Sequence, residues 1–231
     1  YGNLETLVLV GSFARDEGIV YQRNGESKLI SDIEFWGVVK NMPAVKRLNF
    51  GNPNFTISFT TRAHLKRLKP YIYTVEVKKY GKVLWGDANI LGLIPEYSYE
   101  DIDPLDGFIL LNNRLVEQLI ILNKIEDNRV INRYDFDKSY IQLINSILVL
   151  KKRYRSLYAE KQEEFSRVYE NKDMGFLNKI QQAFESIKQP SGTVIRQDEA
   201  LEKWREARGY FRKIWTEEAG FILNKKGVTL D

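Results

Sequence analysis

The chain has 231 residues, 43% of them hydrophobic and 29% charged, an ordinary globular composition with room for one large or two modest domains. Its 35 basic and 31 acidic side chains leave a net charge of +4, which suits phosphorylated ligands but is too small to demand a nucleic acid, whose footprint is a clustered basic face. The absence of cysteine excludes disulfides and thiolate metal sites, the single histidine excludes multi-histidine metal centres, and no apolar run approaches the roughly 20 residues of a membrane span.

In chain order, Leu4 to Val10 reads as a buried strand that breaks at Gly11-Ser12 into a short helix reaching about Arg15. Residues 19–30 read as a hairpin-like insertion turning at Asn24-Gly25, the strongest short hairpin signal. Asp32 to Val39 reads as the central strand, and Pro43 to Leu48 as a short helix or turn. Asn54 to Thr61 alternates, with Phe55, Ile57 and Phe59 on one face and Thr56, Ser58 and Thr60 on the other, so it predicts a third strand. Leu65, Leu68, Ile72 and Val75 recur at helical spacing, which predicts a helix over Arg62 to Tyr80 stopped by Gly81, followed by a short strand from Lys82 to Trp85. Leu91 to Pro104, with two prolines, reads as a connector. After it the pattern is helical throughout: Leu105 to Asn123, Asp135 to Tyr158, Lys161 to Glu170, Phe176 to Ile187 and Gln197 to Leu223, with Pro190-Ser191-Gly192 separating the last two. The expected fold is α+β: a small mixed-sheet domain at 1–95, then an all-helical bundle domain at 104–231.

The chemistry concentrates near the start. Residues two apart on a strand share a face, so Asp32 and Glu34 project together while Ile33 and Phe35 turn to the core. Two adjacent carboxylates that stay ionised need cations between them, and hard oxygens suit Mg²⁺. The Gly11-Ser12 break offers free backbone N–H groups at a helix start, where anions bind, and glycine lets a phosphate approach closely. A phosphate cradle beside paired carboxylates points to phosphoryl chemistry. A bare Asp-x-Glu on a strand is more often an exposed face than a metal site, and the pairing with the upstream Gly-Ser turn gives it weight.

Val10-Gly11-Ser12-Phe13-Ala14-Arg15-Asp16-Glu17-Gly18, followed by Ser31-Asp32-Ile33-Glu34-Phe35 and Val38-Val39, resembles the signature of the DNA polymerase beta superfamily of nucleotidyltransferases. The stretch from Val75 to Asp87 and Leu110-Leu111-Asn112-Asn113-Arg114 resemble a bacterial two-domain branch with a C-terminal helical bundle, and the likeness reaches to about residue 160. The resemblance implies a helix ahead of the first strand. It also implies that Gly11 and Ser12 contact the β and γ phosphates of ATP or another nucleoside triphosphate. Asp32 and Glu34 would hold Mg²⁺ or Mn²⁺, two ions about 4 Å apart serving the attacking and leaving oxygens. Arg15 is placed with the nucleotide-binding residues, although a salt bridge with Glu17 that shapes the loop is the commoner role of such a pair. The implied reaction transfers a nucleoside monophosphate, AMP from ATP, to a small molecule, sugar, protein or RNA acceptor that the sequence leaves open, and releases pyrophosphate.

One element of the family pattern is missing. The third acid expected on the Asn54 to Thr61 strand is absent, and Glu76, in a helical setting, is the nearest acidic candidate. The alternative is therefore a catalytically impaired relative that binds nucleotide or a partner. Lys78, Lys79 and Lys82 form a basic cluster that reads as solvated surface or as phosphate contacts. Lys138, Tyr140 and Tyr154 stand out in the helical half, where the recurring aromatics read as core. His64 is left out of the site. A cytoplasmic location and a pocket at the junction of the two domains are expected; the oligomeric state is not legible.

Overall fold

The structure is a computed structural model that describes residues 2–23, 26–49, 54–169, 173–188 and 194–225. The chain divides into two compact units, Tyr1–Asp101 and Ile102–Asp231. Among the described residues no helix is long and apolar enough to cross a membrane.

The first unit runs β1 (Leu4–Val10), α1 (Gly11–Ala14), β2 (Val20–Arg23), β3 (Glu26–Leu29), β4 (Ile33–Val39), β5 (Arg47–Asn49), β6 (Phe55–Thr60), α2 (Arg62–Leu65), α3 (Ile72–Tyr80) and β7 (Lys82–Gly86). Five strands form one mixed sheet in the order β5-β6-β4-β1-β7, with β4 and β6 parallel and the other neighbours antiparallel. β2 and β3 pair antiparallel as a separate ribbon; the Asn24-Gly25 turn lies outside the described residues.

Register sorts the faces. Val10 pairs with Glu34 and Glu34 with Thr56, and two residues along, Val8 pairs with Trp36 and Trp36 with Ser58. Because side chains alternate, Glu34, Trp36 and Val38 share one face and Ile33, Phe35 and Gly37 the other. The main core of this unit lies on the face of Glu34: Val8, Val10 and Val38 are buried with Leu65, Leu68, Val77, Ile90 and Ile94, and Trp36 packs against them. Each fully buried aliphatic side chain contributes about 2 kcal/mol. Ile33 and Phe35, expected in the core, are half-buried. Glu34 thus stands at the end of a face whose far part is filled by hydrocarbon.

Two local expectations are corrected here. The apolar period from Arg62 to Tyr80 is carried by two helices, α2 and α3, because Pro70 has no N–H to donate and pushes Lys69 away from helical geometry. Leu65, Leu68, Val75 and Val77 are buried all the same. The helix or turn expected at Pro43 to Leu48 instead leads into β5, whose Leu48 pairs with Ile57. The Leu91 to Pro104 connector contains 3₁₀ turns at Ile90–Leu93 and Tyr99–Asp101.

The second unit runs α4 (Pro104–Glu126), β8 (Ile131–Asn132), α5 (Arg133–Leu150), α6 (Tyr158–Tyr169), α7 (Met174–Lys188), β9 (Val194–Ile195) and α8 (Gln197–Lys225). The two-residue strands β8 and β9 pair antiparallel, and the Pro190-Ser191-Gly192 break lies outside the described residues. α4 starts where Asp103 Oδ1 accepts the Leu105 N–H at 2.9 Å, with Pro104 in the first turn. α5 is closed at its start by a capping box between Asn132 and Asp135. The helix expected to run to Tyr158 stops at Leu150. Lys152 adopts φ +58°, its N–H donates to the Val149 carbonyl and that of Arg153 donates to Leu148, which is a Schellman closure without glycine. α5 is buried on nearly every side and packs against α4, α6, α7 and α8. Of the aromatics read as core, Tyr154, Phe165, Tyr169, Phe176 and Phe184 are buried, with Phe165 stacked on Tyr169 at 4.9 Å, and Tyr158 is half-buried.

Candidate active site

β1 delivers the chain to Gly11, which takes φ +71°, a conformation that favours glycine. A side chain there would also collide: a Cβ on Gly11 would lie 2.4 Å from Oε2 of Glu34. The Glu34 carboxylate is therefore laid directly against the glycine backbone at the start of α1. The Val10–Glu34 register and the missing side chain at Gly11 together produce this apposition, and neither alone would. The turn closes tightly behind it, with the Ser12 carbonyl accepting the N–H groups of Arg15 at 3.2 Å and Glu17 at 2.9 Å, and Asp16 ending α1 at φ +60°.

Asp32 is exposed and sits immediately before β4, one residue outside the strand expected to carry it. Its backbone is nonetheless held on both sides. The buried Ser31 exchanges two hydrogen bonds with Ile19, the Ile19 N–H donating to Ser31 Oγ at 3.1 Å and the Ser31 N–H donating to the Ile19 carbonyl at 3.2 Å, while the Ile33 N–H donates to the Asn54 carbonyl at 2.7 Å. Ser31 is a positioning residue that sequence reasoning did not single out, although it stands inside the Ser-Asp-Ile-Glu motif.

Arg15 is almost buried. Its guanidinium donates through Nε to Glu17 at 3.2 Å and through a terminal nitrogen to Glu76 at 2.6 Å. Arg15 and Glu76 are 61 residues apart, so the pair ties the turn after β1 to α3. Arg15 serves here as the salt bridge that shapes the loop, and Glu76, the candidate third acid, is engaged by it. Replacing Arg15 by alanine removes both ion pairs from two partly buried carboxylates and is expected to lower stability by about 3 kcal/mol, read from urea unfolding, against about 1 kcal/mol for Glu76→Gln.

The position beside Glu34 on the neighbouring strand is Thr56, which is buried. Thr56, Ser58 and Thr60 form the polar face of β6, and no acid stands among them. Among the described residues no three of His, Cys, Asp and Glu gather as a metal-holding group. Two carboxylates one residue apart still fit a hard divalent ion that takes its remaining oxygens from water and substrate phosphates, the usual manner in which Mg²⁺ is bound.

The basic cluster disperses into structural contacts. Lys78 donates to the carbonyls of Leu91 and Ile94 at 3.1 and 3.0 Å and pairs with Glu96, Lys79 donates to the Tyr99 hydroxyl at 3.0 Å, and Lys82 pairs with Asp16 at 2.5 Å. His64 is exposed on α2, its backbone N–H donating to Thr61 Oγ1 at 3.2 Å. In the second unit Tyr140 is buried edge-on to Tyr210 at 6.2 Å, and burial pushes its phenol well up from the ordinary value.

No protein-family model matches the chain, and no curated protein matches it in sequence. Among solved structures it is similar to a spectinomycin adenyltransferase from Enterococcus faecialis, solved with ATP and spectinomycin, at 14% identity and a TM-score of 0.48 over 91% of this chain and 92% of that one. A likeness of that size carries no conclusion about family or activity.

Proposed function

We propose that the chain is a metal-dependent nucleotidyltransferase that transfers AMP from ATP to an acceptor hydroxyl or phosphate and releases pyrophosphate, with residues 1–95 as its catalytic domain, residues 104–231 as its helical domain, and the cytoplasm as its location. The observation that supports the reading is the apposition of Glu34 Oε2 and Gly11, a carboxylate set against the glycine turn between β1 and α1. Gly11 and Ser12 take the terminal phosphates, and Asp32 and Glu34 hold Mg²⁺ or Mn²⁺. A divalent ion bound there supplies charge neutralisation at the attacking and leaving oxygens. The protein's own contribution is positional: the β1–β4 register sets Glu34 against the turn, Ser31 and Asn54 hold the backbone around Asp32, and Arg15 braces the turn against α3. With Thr56 beside Glu34, deprotonation of the acceptor falls to water or to the acceptor's own groups.

Thr56 also supports a second reading, a binding protein that has lost transfer. Isothermal titration with ATP and Mg²⁺ tests the shared part: binding is expected to weaken by at least about a hundredfold in an Asp32→Ala, Glu34→Ala double variant, since charge-assisted contacts of this kind are worth about 3 kcal/mol together. Transfer of label from α-labelled ATP to an acceptor in a lysate separates the two readings. Absence of both binding and transfer sinks the enzyme and the nucleotide binder, and leaves only a relative that binds a partner.

A further inference from the structure

The face of α4 turned away from the bundle core is apolar. Gly107, Leu111, Gln118, Ile121 and Ile125 are buried, and the Gln118 side chain donates to Ser139 Oγ at 2.7 Å on α5. On the other side Leu105, Ile109, Val116, Leu119 and Ile120 stand 38% to 58% exposed. Positions 105, 109, 112, 116 and 119 alternate steps of four and three, the seam of a two-stranded coiled coil, and the seam carries no charge. Its one polar member, Asn112, accepts a hydrogen bond from Trp215 Nε1 at 3.0 Å, and Trp215 lies 5.9 Å from Phe108, so the patch continues onto α8. Single exposed aliphatics need no explanation, but a contiguous stripe of this length marks an interaction surface.

The charges beside the stripe name the occupant. Asp106 at the start of α4 and Lys124 at its end are 18 residues apart, a whole number of turns at 3.6 residues each, so both lie along the same flank of the seam. Like flanks meet when two copies of a helix pair antiparallel, and each Asp106 then comes beside the other copy's Lys124. Parallel pairing would set this flank against the opposite one, so neither charge would meet its counterpart in the other copy. Lys124 already has a long ion pair with Asp135 at 3.6 Å, and an ammonium has three donors to share. The midpoint between the two charges, at Leu115, falls within a turn of the midpoint of the stripe. A two-fold axis near Leu115 pairs the charges and sets the Asn112 to Ile120 part of each stripe against the same part of the other copy, as an isologous interface requires.

We propose that α4 is a homodimerisation surface on which a second copy of this chain packs its own α4 antiparallel. A single helix pair with a tryptophan at its side is a small interface, so the dimer is weak, with a Kd on the order of micromolar. Sedimentation of the full chain over a range up to tens of micromolar is expected to show reversible dimerisation. Val116→Glu raises the Kd by more than about tenfold, since a charge is buried at the centre of the seam. Its far-UV circular dichroism and melting temperature stay unchanged because Val116 is exposed. Asp106→Lys weakens the dimer, and Asp106→Lys combined with Lys124→Asp restores it. The chain has no cysteine, so single introduced thiols report geometry cleanly. Val116→Cys, near the axis, is joined by a short bis-maleimide linker, and Leu105→Cys, at the far end, is not. A monomer at tens of micromolar, or a dimer indifferent to Val116→Glu, overturns the proposal. Equal linking of the two cysteine variants overturns the antiparallel arrangement.

Discussion

Gly11→Ala is expected to abolish ATP binding while leaving a folded protein about 2 kcal/mol less stable than the parent. Two separate costs produce this result. A non-glycine residue held at φ +71° costs about 1–2 kcal/mol in backbone strain alone. The new methyl would also lie 2.4 Å from Oε2 of Glu34, so the carboxylate must swing away from the turn it is set against. The strain appears in a urea melt, and the displacement appears in a calorimetric titration with ATP and Mg²⁺. Gly92→Ala is the matched control, because a Cβ at Gly92 meets nothing within 4 Å, and it should leave both measurements unchanged. Parental ATP affinity in Gly11→Ala would remove the apposition of Gly11 and Glu34 from the argument for a nucleotide site.

The second large effect is expected far from that site. Glu218 on α8 is 1% exposed, and among the described residues neither carboxylate oxygen accepts a hydrogen bond within 3.5 Å. The nearby Ser146 hydroxyl donates at 2.9 Å to the Leu143 carbonyl. Burial pushes the carboxyl up from its ordinary 4.5 to about 7, with the adjacent Glu217 adding to the rise and Ser146 opposing it. The sign follows from proton counting. Between pH 4.5 and 7 the folded state holds a proton that the unfolded state has released, so stability falls as pH rises through that window and the full cost is present above it. Each tenfold difference in proton affinity between the two states is worth about 1.4 kcal/mol, which makes the cost about 3 kcal/mol. Glu218→Gln keeps the shape and cannot ionise. It should melt well above the parent at pH 8 and close to it near pH 4.5, and two melting curves that stay parallel across this range would contradict the account.

Much of the local structure was legible because it depends on periodicity. The alternation of Phe55, Ile57 and Phe59 with Thr56, Ser58 and Thr60 reads as a strand and is one, and most of the recurring aromatics of the helical half are core as their spacing suggests. Helix ends were less legible where a backbone event intervened. Pro70 divides a continuous apolar period, and Lys152 closes α5 in a left-handed conformation more usual for glycine, a choice made by the closure around it rather than by its own preference. The lysines at 78, 79 and 82 form a cluster only in sequence, since each points to a different structural partner.

What the sequence determined by itself is the set of residues and their parity: a glycine and a serine where β1 ends, two carboxylates two positions apart, and no acid on the polar face of β6. Parity states which side chains share a face, but which face is covered depends on what packs there. Hydrophobicity assigns Ile33 and Phe35 to the core, whereas the main core of the unit lies on the opposite face, where α2, the turn after it and α3 bring Leu65, Leu68 and Val77 against Trp36 and Val38. Only the tertiary structure decided that Val10 pairs with Glu34, that Thr56 stands beside it, and that Arg15 meets Glu76 across 61 residues. Each of these is a contact between chain segments far apart in sequence, set by strand register and helix packing. No local pattern encodes such a distance, and these are the contacts that bring the glycine turn and the Glu34 carboxylate together.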